Sequence, residues 1–376
     1  MASPFNAFSR AAQLTRAGKL GQASRVVQRA FGLAPPPRAR KASKKVAAKT
    51  AAAGLPLAAT PVPSGTGRFT RHFFRFAGER YAYRLFVPHA APGEQAPGPR
   101  PLVVLLHGCE QDAADFAQGT GMNALAQQHQ CLVLYPEQLS KANSMRCWNW
   151  FERAHQGRGT GEPAMIAALT RDVLKARNGD PARVYIAGLS AGGAMAVLVA
   201  GLYPEMFAAA GVHSGLAAGA AGDVMSAFNA MRQGASGGRA GPAGPAVPTI
   251  VFHGSDDRTV HPANGEQVVL AALAGLGAAG VDLVKSGGPH AGPALRGAVR
   301  RTRAAQRTRY SAADGISHVE HWTVDAGPHA WSGGDPGGSF TDPDGPGASA
   351  AMLAFFLQHR NPAAVSPAPR AGAAPG

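Results

Sequence analysis

The chain has little with which to fasten itself covalently: three cysteines in 376 residues, Cys109, Cys131 and Cys147. That is too few, and odd in number, for a disulfide scaffold. None is spaced C-x-x-C, so neither a structural zinc site nor any other metal site is expected. No uninterrupted apolar run approaches the roughly 18 residues of a membrane-spanning helix, and no transmembrane segment is expected. The N-terminus lacks the compact apolar core and small-residue cleavage site of a secretory signal, which makes the cytoplasm the expected compartment. Acids are also scarce, with 22 Asp and Glu against 37 Lys and Arg and a formal net charge of +15.

That excess is local. Residues 1–50 hold eleven Lys and Arg and no acid, and residues 283–313 hold seven, again with no acid; the rest of the chain is slightly acidic. Basicity confined to an arm and one insertion does not describe a nucleic-acid-binding core, and no nucleic-acid partner is expected. The arm could instead meet a granule or another anionic surface.

Residues 1–31 have helical apolar spacing around an AGKLG break and predict a basic amphipathic helical arm. Residues 32–67, rich in Pro, Ala, Gly and Lys, predict a flexible linker. From residue 68 to 360 the texture is that of a folded domain. RFTRHFFRF and YAYRLFVP flank AGER and predict an antiparallel hairpin. Short apolar runs then alternate with helix-compatible stretches: PLVVLLHG, CLVLYP, RVYIAG, FAAAGVHSG, PTIVFHG and VEHWTVD. The fold class that follows is α/β, a mainly parallel doubly wound sheet with an antiparallel N-terminal edge. Residues 217–247 and 276–315, rich in Gly, Ala and Pro or in Arg, are expected as insertions or loops outside that sheet, and 361–376 as a disordered tail.

GLSAG, residues 188–192, has the form G-x-S-x-G between an expected strand and an expected helix. In that context a serine sits on a strained turn with its hydroxyl raised above the sheet. The alternative for the pentapeptide alone is an ordinary Gly-rich turn. A serine nucleophile needs a base, and the base needs a carboxylate to orient it. Asp257, three residues before Val260 in VFHGSDDRTV, is the preferred acid, with Asp256 as the alternative. His329, on the loop DAGPHAWSGG, is the preferred base; His213, His253, His261 and His321 are weaker rivals. The order Ser190, Asp257, His329 is the order such a site requires. The backbone N–H groups of Cys109 and Ala191 are the expected oxyanion donors, with His107 shaping the turn in LLHGCEQD. Trp148, Trp150 and Trp331 are candidate aromatic walls for an acyl chain.

The segments LLHGCEQDAADFAQGTGMNALA, LVLYPEQ, RCWNWF, RVYIAGLSAGGAMA, GVHSGL, VFHGSDDRTVHPANG and GPHAWSGG, in that order, resemble the polyhydroxybutyrate depolymerase family of esterases. Those are α/β-hydrolases related to feruloyl and acetylxylan esterases, and the resemblance spans about residues 68–358. It implies Ser190 as nucleophile, Asp257 as orienting acid, His329 as base, Cys109 at the oxyanion turn, and no cofactor. It also implies a Cys109–Cys147 pair, which a cytosolic compartment would disfavour; the family has secreted members as well. The substrate implied is poly- or oligo(3-hydroxybutyrate) or a related short-chain polyester. The alternatives are an acylated plant polysaccharide, or a surface-binding protein on a hydrolase scaffold.

Overall fold

The computed structural model describes residues 67–90, 98–235, 247–290 and 303–364. The expected helical arm, the linker up to residue 66 and most of the tail lie outside the described residues.

The first two strands, β1 (Arg68–Phe76) and β2 (Glu79–Val87), pair antiparallel. Ala77 and Gly78 both have positive φ, 49° and 81°, the backbone of a two-residue hairpin turn that matches strand twist. β2 then lies antiparallel to β4 (Leu132–Pro136). From β4 the sheet runs parallel through β3 (Arg100–Leu106), β5 (Gly179–Leu189), β6 (Ala209–His213), β7 (Thr249–Gly254) and β10 (Ser317–Val324). Two antiparallel strands, β9 (Ala305–Ser311) and β8 (Val284–His290), close the far edge and bring the sheet to ten strands. A separate short pair joins β11 (Trp331–Ser332) to β12 (Thr341–Asp342).

Central strands are apolar without a break because both faces are covered, which is the demand of a parallel sheet. In β3 alternate residues serve opposite faces. Leu102, Val104 and Leu106 pack with α3 (Gly161–Ala176) and α4 (Ala191–Leu202). Val103 and Leu105 pack on the other side with α1 (Ala113–Thr120), α2 (Met122–Gln128) and α7 (Ala348–Phe356). A third cluster joins Val251 and Val319 to α6 (Ala263–Ala278) through Val268, Val269, Ala272 and Leu276.

Two expectations are corrected. Residues 276–315 do not all lie outside the sheet, since β8 and β9 are its last two strands. Their sequences, VKSGGPH and AQRTRYS, show no apolar alternation: β8 is the edge strand, whose residues can stay exposed, and β9, though paired on both sides, buries only Ala305 fully and leaves its other residues half-buried or exposed. Arg307 of β9 nevertheless has a structural partner: its guanidinium holds the buried Glu320 carboxylate of β10 at 2.6 Å. Residues 217–247 are not all loop either, because α5 (Val224–Gln233) starts at a capping box formed by Asp223 and Ser226. The surrounding Ala and Gly residues obscured that start signal.

Candidate active site

Ser190, Asp257 and His329 all lie at the carboxyl edge of the parallel strands. Ser190 directly follows β5, Asp257 follows β7, and His329 follows β10. β5 and β7 both flank β6, so the end of β6 is where the three loops converge.

Ser190 has φ 57° and ψ −120°, a backbone conformation that costs a side-chain-bearing residue about 1–3 kcal/mol. Its neighbours make the turn possible. A Cβ on Gly188 would lie 2.3 Å from the carbonyl carbon of Gly192, and one on Gly192 would lie 2.1 Å from the Leu106 carbonyl oxygen. Only glycine allows the serine turn to sit this close to the end of β3. The Ser190 N–H donates to the His213 carbonyl at 2.8 Å, which ties the turn to the end of β6. Ala191 is the first residue of α4, so its N–H has no partner within the helix. In the turn after β3, Glu110 N–H donates to the Met145 carbonyl and Gln111 N–H to that of Gly108. Neither bond uses the Cys109 N–H.

The acid and the histidine are in contact, with His329 Nδ1–H donating to Asp257 Oδ2 at 2.7 Å. This fixes the tautomer and leaves Nε2 as the basic nitrogen. The Asp257 side chain is fully buried, while that of His329 keeps 12% of its surface exposed. The other Asp257 oxygen accepts from the Thr259 and Val260 N–H groups at 3.0 and 2.8 Å, which is the physical content of the D-x-x-V spacing. Burial alone would raise this carboxyl. Hydrogen bonds from His253, His329 and the Val260 amide outweigh it and hold the group well below the usual carboxylate range. The loops carrying the pair are laced together by Asp256 N–H to the Gly327 carbonyl, Ser255 N–H to the Val324 carbonyl and Ala326 N–H to Ser255 Oγ.

The alternatives separate by position. Asp256 turns outward and pairs with Arg258. His261 accepts from the Ala263 N–H at the start of α6, and His321 lies within β10. His253 Nε2 donates to the Val260 carbonyl at 2.8 Å and sits 3.4 Å from Asp257 Oδ2, so it backs the acid. His107 accepts from the Gln138 N–H through Nε2 and receives the Trp148 indole N–H on its carbonyl. Burial pushes it down to about 4, which keeps it neutral in the turn. His213, lowered to about 3 first by burial and then by His253 and His329, accepts from the Ser332 N–H at 2.9 Å. Its carbonyl and its ring thus hold the serine turn and the strand that follows His329.

The tryptophans depart from the aromatic-wall expectation. Trp148, Trp150 and Trp331 are 0%, 5% and 1% exposed, and all three belong to the hydrophobic clusters. Trp331 stacks on His213 and donates its indole N–H to Ser349 Oγ.

Cys109 and Cys147 are joined by a disulfide, and Cys131 is a free, buried thiol pushed up to about 12, chiefly by burial. The loop at Cys147 is further anchored by Glu162, which a sequence reading passes over. Its carboxylate accepts from the Asn149 N–H at 2.7 Å and the Asn149 side chain at 2.8 Å. Burial raises this carboxyl above its ordinary value, against the pull of the hydrogen bonds. A Glu in a helix's first turn ordinarily reads as a solvated dipole partner, so nothing in the local pattern marked it. Gln111 was likewise unmarked: its Oε1 accepts from the Gly108 N–H, and its amide donates to Asp115 and the Ser339 carbonyl.

Among the described residues no cluster of three or more His, Cys, Asp or Glu could hold a metal. No helix described is long and apolar enough to cross a membrane.

Comparison with known proteins gives a consistent neighbourhood. A family model described as "Esterase PHB depolymerase" matches residues 81–281. The chain is 40% identical over 184 residues to poly(3-hydroxyalkanoate) depolymerase C of Paucimonas lemoignei, covering 46% of this chain and 44% of that protein. It is 34% identical over 117 residues to feruloyl esterase B of Neurospora crassa, covering 31% of this chain and 39% of that one. With a probable acetylxylan esterase A of Neosartorya fischeri the identity is 31% over 180 residues, covering 43% and 48%. The matches therefore span less than half the length of these relatives. Among solved structures, the acetyl xylan esterase from Aspergillus awamori superposes with a TM-score of 0.53 at 19% identity, covering 77% of this chain and 99% of that one. That likeness carries the α/β-hydrolase fold.

Proposed function

Because the chain belongs to the PHB depolymerase family of esterases, we propose that it hydrolyses carboxylic esters through an acyl-enzyme, with Ser190 as nucleophile, His329 as base and Asp257 as orienting acid. The observation that carries this reading is the 2.7 Å contact between Asp257 and His329, on loops tied to the same end of β6 as the strained Ser190 turn.

The chemistry follows from those positions. His329 Nε2 takes the Ser190 proton as Oγ attacks the ester carbonyl, and passes it to the departing alkoxide oxygen as the acyl-enzyme forms. Water, deprotonated by the same nitrogen, then attacks the acyl carbonyl and releases the acid and Ser190. Asp257 holds the tautomer and stabilises the transient imidazolium. The Cys109 and Ala191 N–H groups are the assigned donors to the oxyanion, an interaction for which each donor is worth about 10²- to 10³-fold in rate.

The proposed substrate class is a short-chain polyester or its oligomers, of the poly(3-hydroxybutyrate) type, in keeping with the first relative's name. A second reading, an acetyl or feruloyl ester of a polysaccharide, is favoured by the relatives bearing those activities in their names. Replacing Ser190 by Ala should lower hydrolysis of p-nitrophenyl butyrate by at least about 10³-fold, and an unaltered rate would remove the enzyme assignment. A panel of hydroxybutyrate oligomers, acetylated xylan and methyl ferulate on the full-length chain decides between the two substrate readings.

A further inference from the structure

Beside the turn that carries Cys109 lies a cavity of about 450 Å³ whose lining includes Arg71, Arg80, Arg84 and Arg146, with Phe73 and Leu139. Its position follows from the sheet. β4 ends at Pro136, opposite Tyr83 of β2, so the first residues of β2 and the hairpin turn extend past the carboxyl edge. Glu137 N–H donating to the Ala82 carbonyl fixes that overhang. The cavity shares His107 and Gln111 with the oxyanion turn.

Its charges are unbalanced. Glu137 holds Arg71 at 3.0 Å and Asp112 approaches Arg146 at 3.8 Å. Among the described residues no carboxylate pairs with Arg80 or Arg84. Arg80 lies over the Phe73 ring at 4.4 Å and Arg84 over the Phe69 ring at 5.3 Å. The Nε of Arg84 is buried with no hydrogen-bond partner, a costly arrangement for the strand that carries it. The strand register adds to the imbalance by setting Arg71 opposite Arg84 and Arg75 opposite Arg80. Like charges in directly opposed cross-strand positions are destabilising. A carboxylate, which the planar guanidinium fork grips with two parallel bonds, offsets the excess positive charge that Arg80 and Arg84 bring to the cavity.

We propose that this cavity is a subsite for a free carboxylate on the ester substrate, selecting linear hydroxyacid esters that end in an acid. This deepens, and rests on, the esterase reading. The cationic forks take the acid end, while Phe73, Ala82 and Leu139 line the same space and suit the short aliphatic segment that precedes it. Interior units of a long polyester carry no such group, so the subsite directs the enzyme to chain ends and oligomers.

The test compares the 3-hydroxybutyrate trimer as free acid and as methyl ester, on the full-length protein at fixed ionic strength, for the wild type, Arg84→Gln and Arg80→Gln. The expected wild-type ratio of kcat/KM, acid over methyl ester, is about 10, the effect of one charge-assisted bond. Each variant should bring that ratio towards 1 through KM for the acid. Arg80 is exposed, so its variant answers even if Arg84→Gln fails to fold. A wild-type ratio at or below 1, or a ratio unmoved in Arg80→Gln, overturns the subsite; a site for free inorganic anions predicts the former. Cleavage of p-nitrophenyl butyrate by the wild type and not by Ser190→Ala keeps the esterase reading standing when the subsite falls. A chain that cleaves no ester loses both.

Discussion

His213 shows how one residue can order a site without touching the chemistry. Its carbonyl accepts from the Ser190 N–H and its Nε2 from the Ser332 N–H, while the ring lies between Phe252 and Trp331 at 5.8 and 5.2 Å. His213→Phe would preserve the stacking and strand the buried Ser332 amide. Leaving such a donor unpaired costs about 1–3 kcal/mol, and the loop holding His329 loses its tether. We expect a drop in kcat of about 10- to 100-fold, the penalty of a modest misplacement of catalytic groups, with the pH profile keeping its shape. An altered acid limb would mean that His213 itself titrates in the reaction. That Ser190, Asp257 and His329 lie at strand ends was legible in the sequence, because motif, chain order and the apolar runs before them all agree. His213 was legible only as a rival base, since its two tethering bonds depend on which backbone groups the fold brings to it.

At the scale of elements, the turn after β3 and the loop at Cys147 behave as one unit. The disulfide joins them across 38 residues of sequence, and Gln138 adds a bond from its amide to the Cys147 carbonyl. Cross-linking a loop of that length restricts the unfolded chain, an effect worth roughly 2–4 kcal/mol. Cys147→Ser should therefore lower the urea midpoint by a corresponding amount and loosen the turn that presents the Cys109 N–H. An unchanged midpoint would show that Glu162, Asn149 and Gln138 hold the loop by themselves. The parallel strands were legible because burial on both faces leaves unbroken apolar runs, as in PLVVLL. β8 and β9 were not, because an exposed edge strand and a charged, half-exposed neighbour such as AQRTRYS carry neither the apolar run nor the alternation. α5 was hidden for a different reason: its capping box sits amid Ala and Gly that read as loop, although Asp223 and Ser226 were in view.

Across the whole molecule, folding buries several histidines in their neutral form, and this sets the response to acid. His107, His213 and His359 are 1%, 1% and 5% exposed, and burial pushes them down to about 4, about 3 and about 4. In an unfolded chain each returns to about 6.5. Between that value and the folded one the unfolded state binds more protons, so stability falls as pH falls. The contribution is fully present above about pH 6.5 and is lost progressively towards pH 4, at about 2 kcal/mol per histidine between pH 7.5 and 5. Asp257, held below its ordinary range, has the same sign but acts lower. Its contribution is intact above about pH 4 and disappears as the pH drops further. Urea midpoints should therefore decline from pH 6.5 downward, before Asp257 titrates. His359 Nε2 donates to the Ser317 carbonyl, away from the carboxyl edge, and a glutamine amide could replace that donor without titrating. His321, within β10, is pushed down to about 4 as well, chiefly by burial, so His359→Gln should remove about one quarter of the decline between pH 7.5 and 5, its share as one of four such groups. Flat midpoints over that range in the wild type would mean that these histidines carry their protons in the folded state, and the neutral networks drawn for His107 and His213 would have to be abandoned.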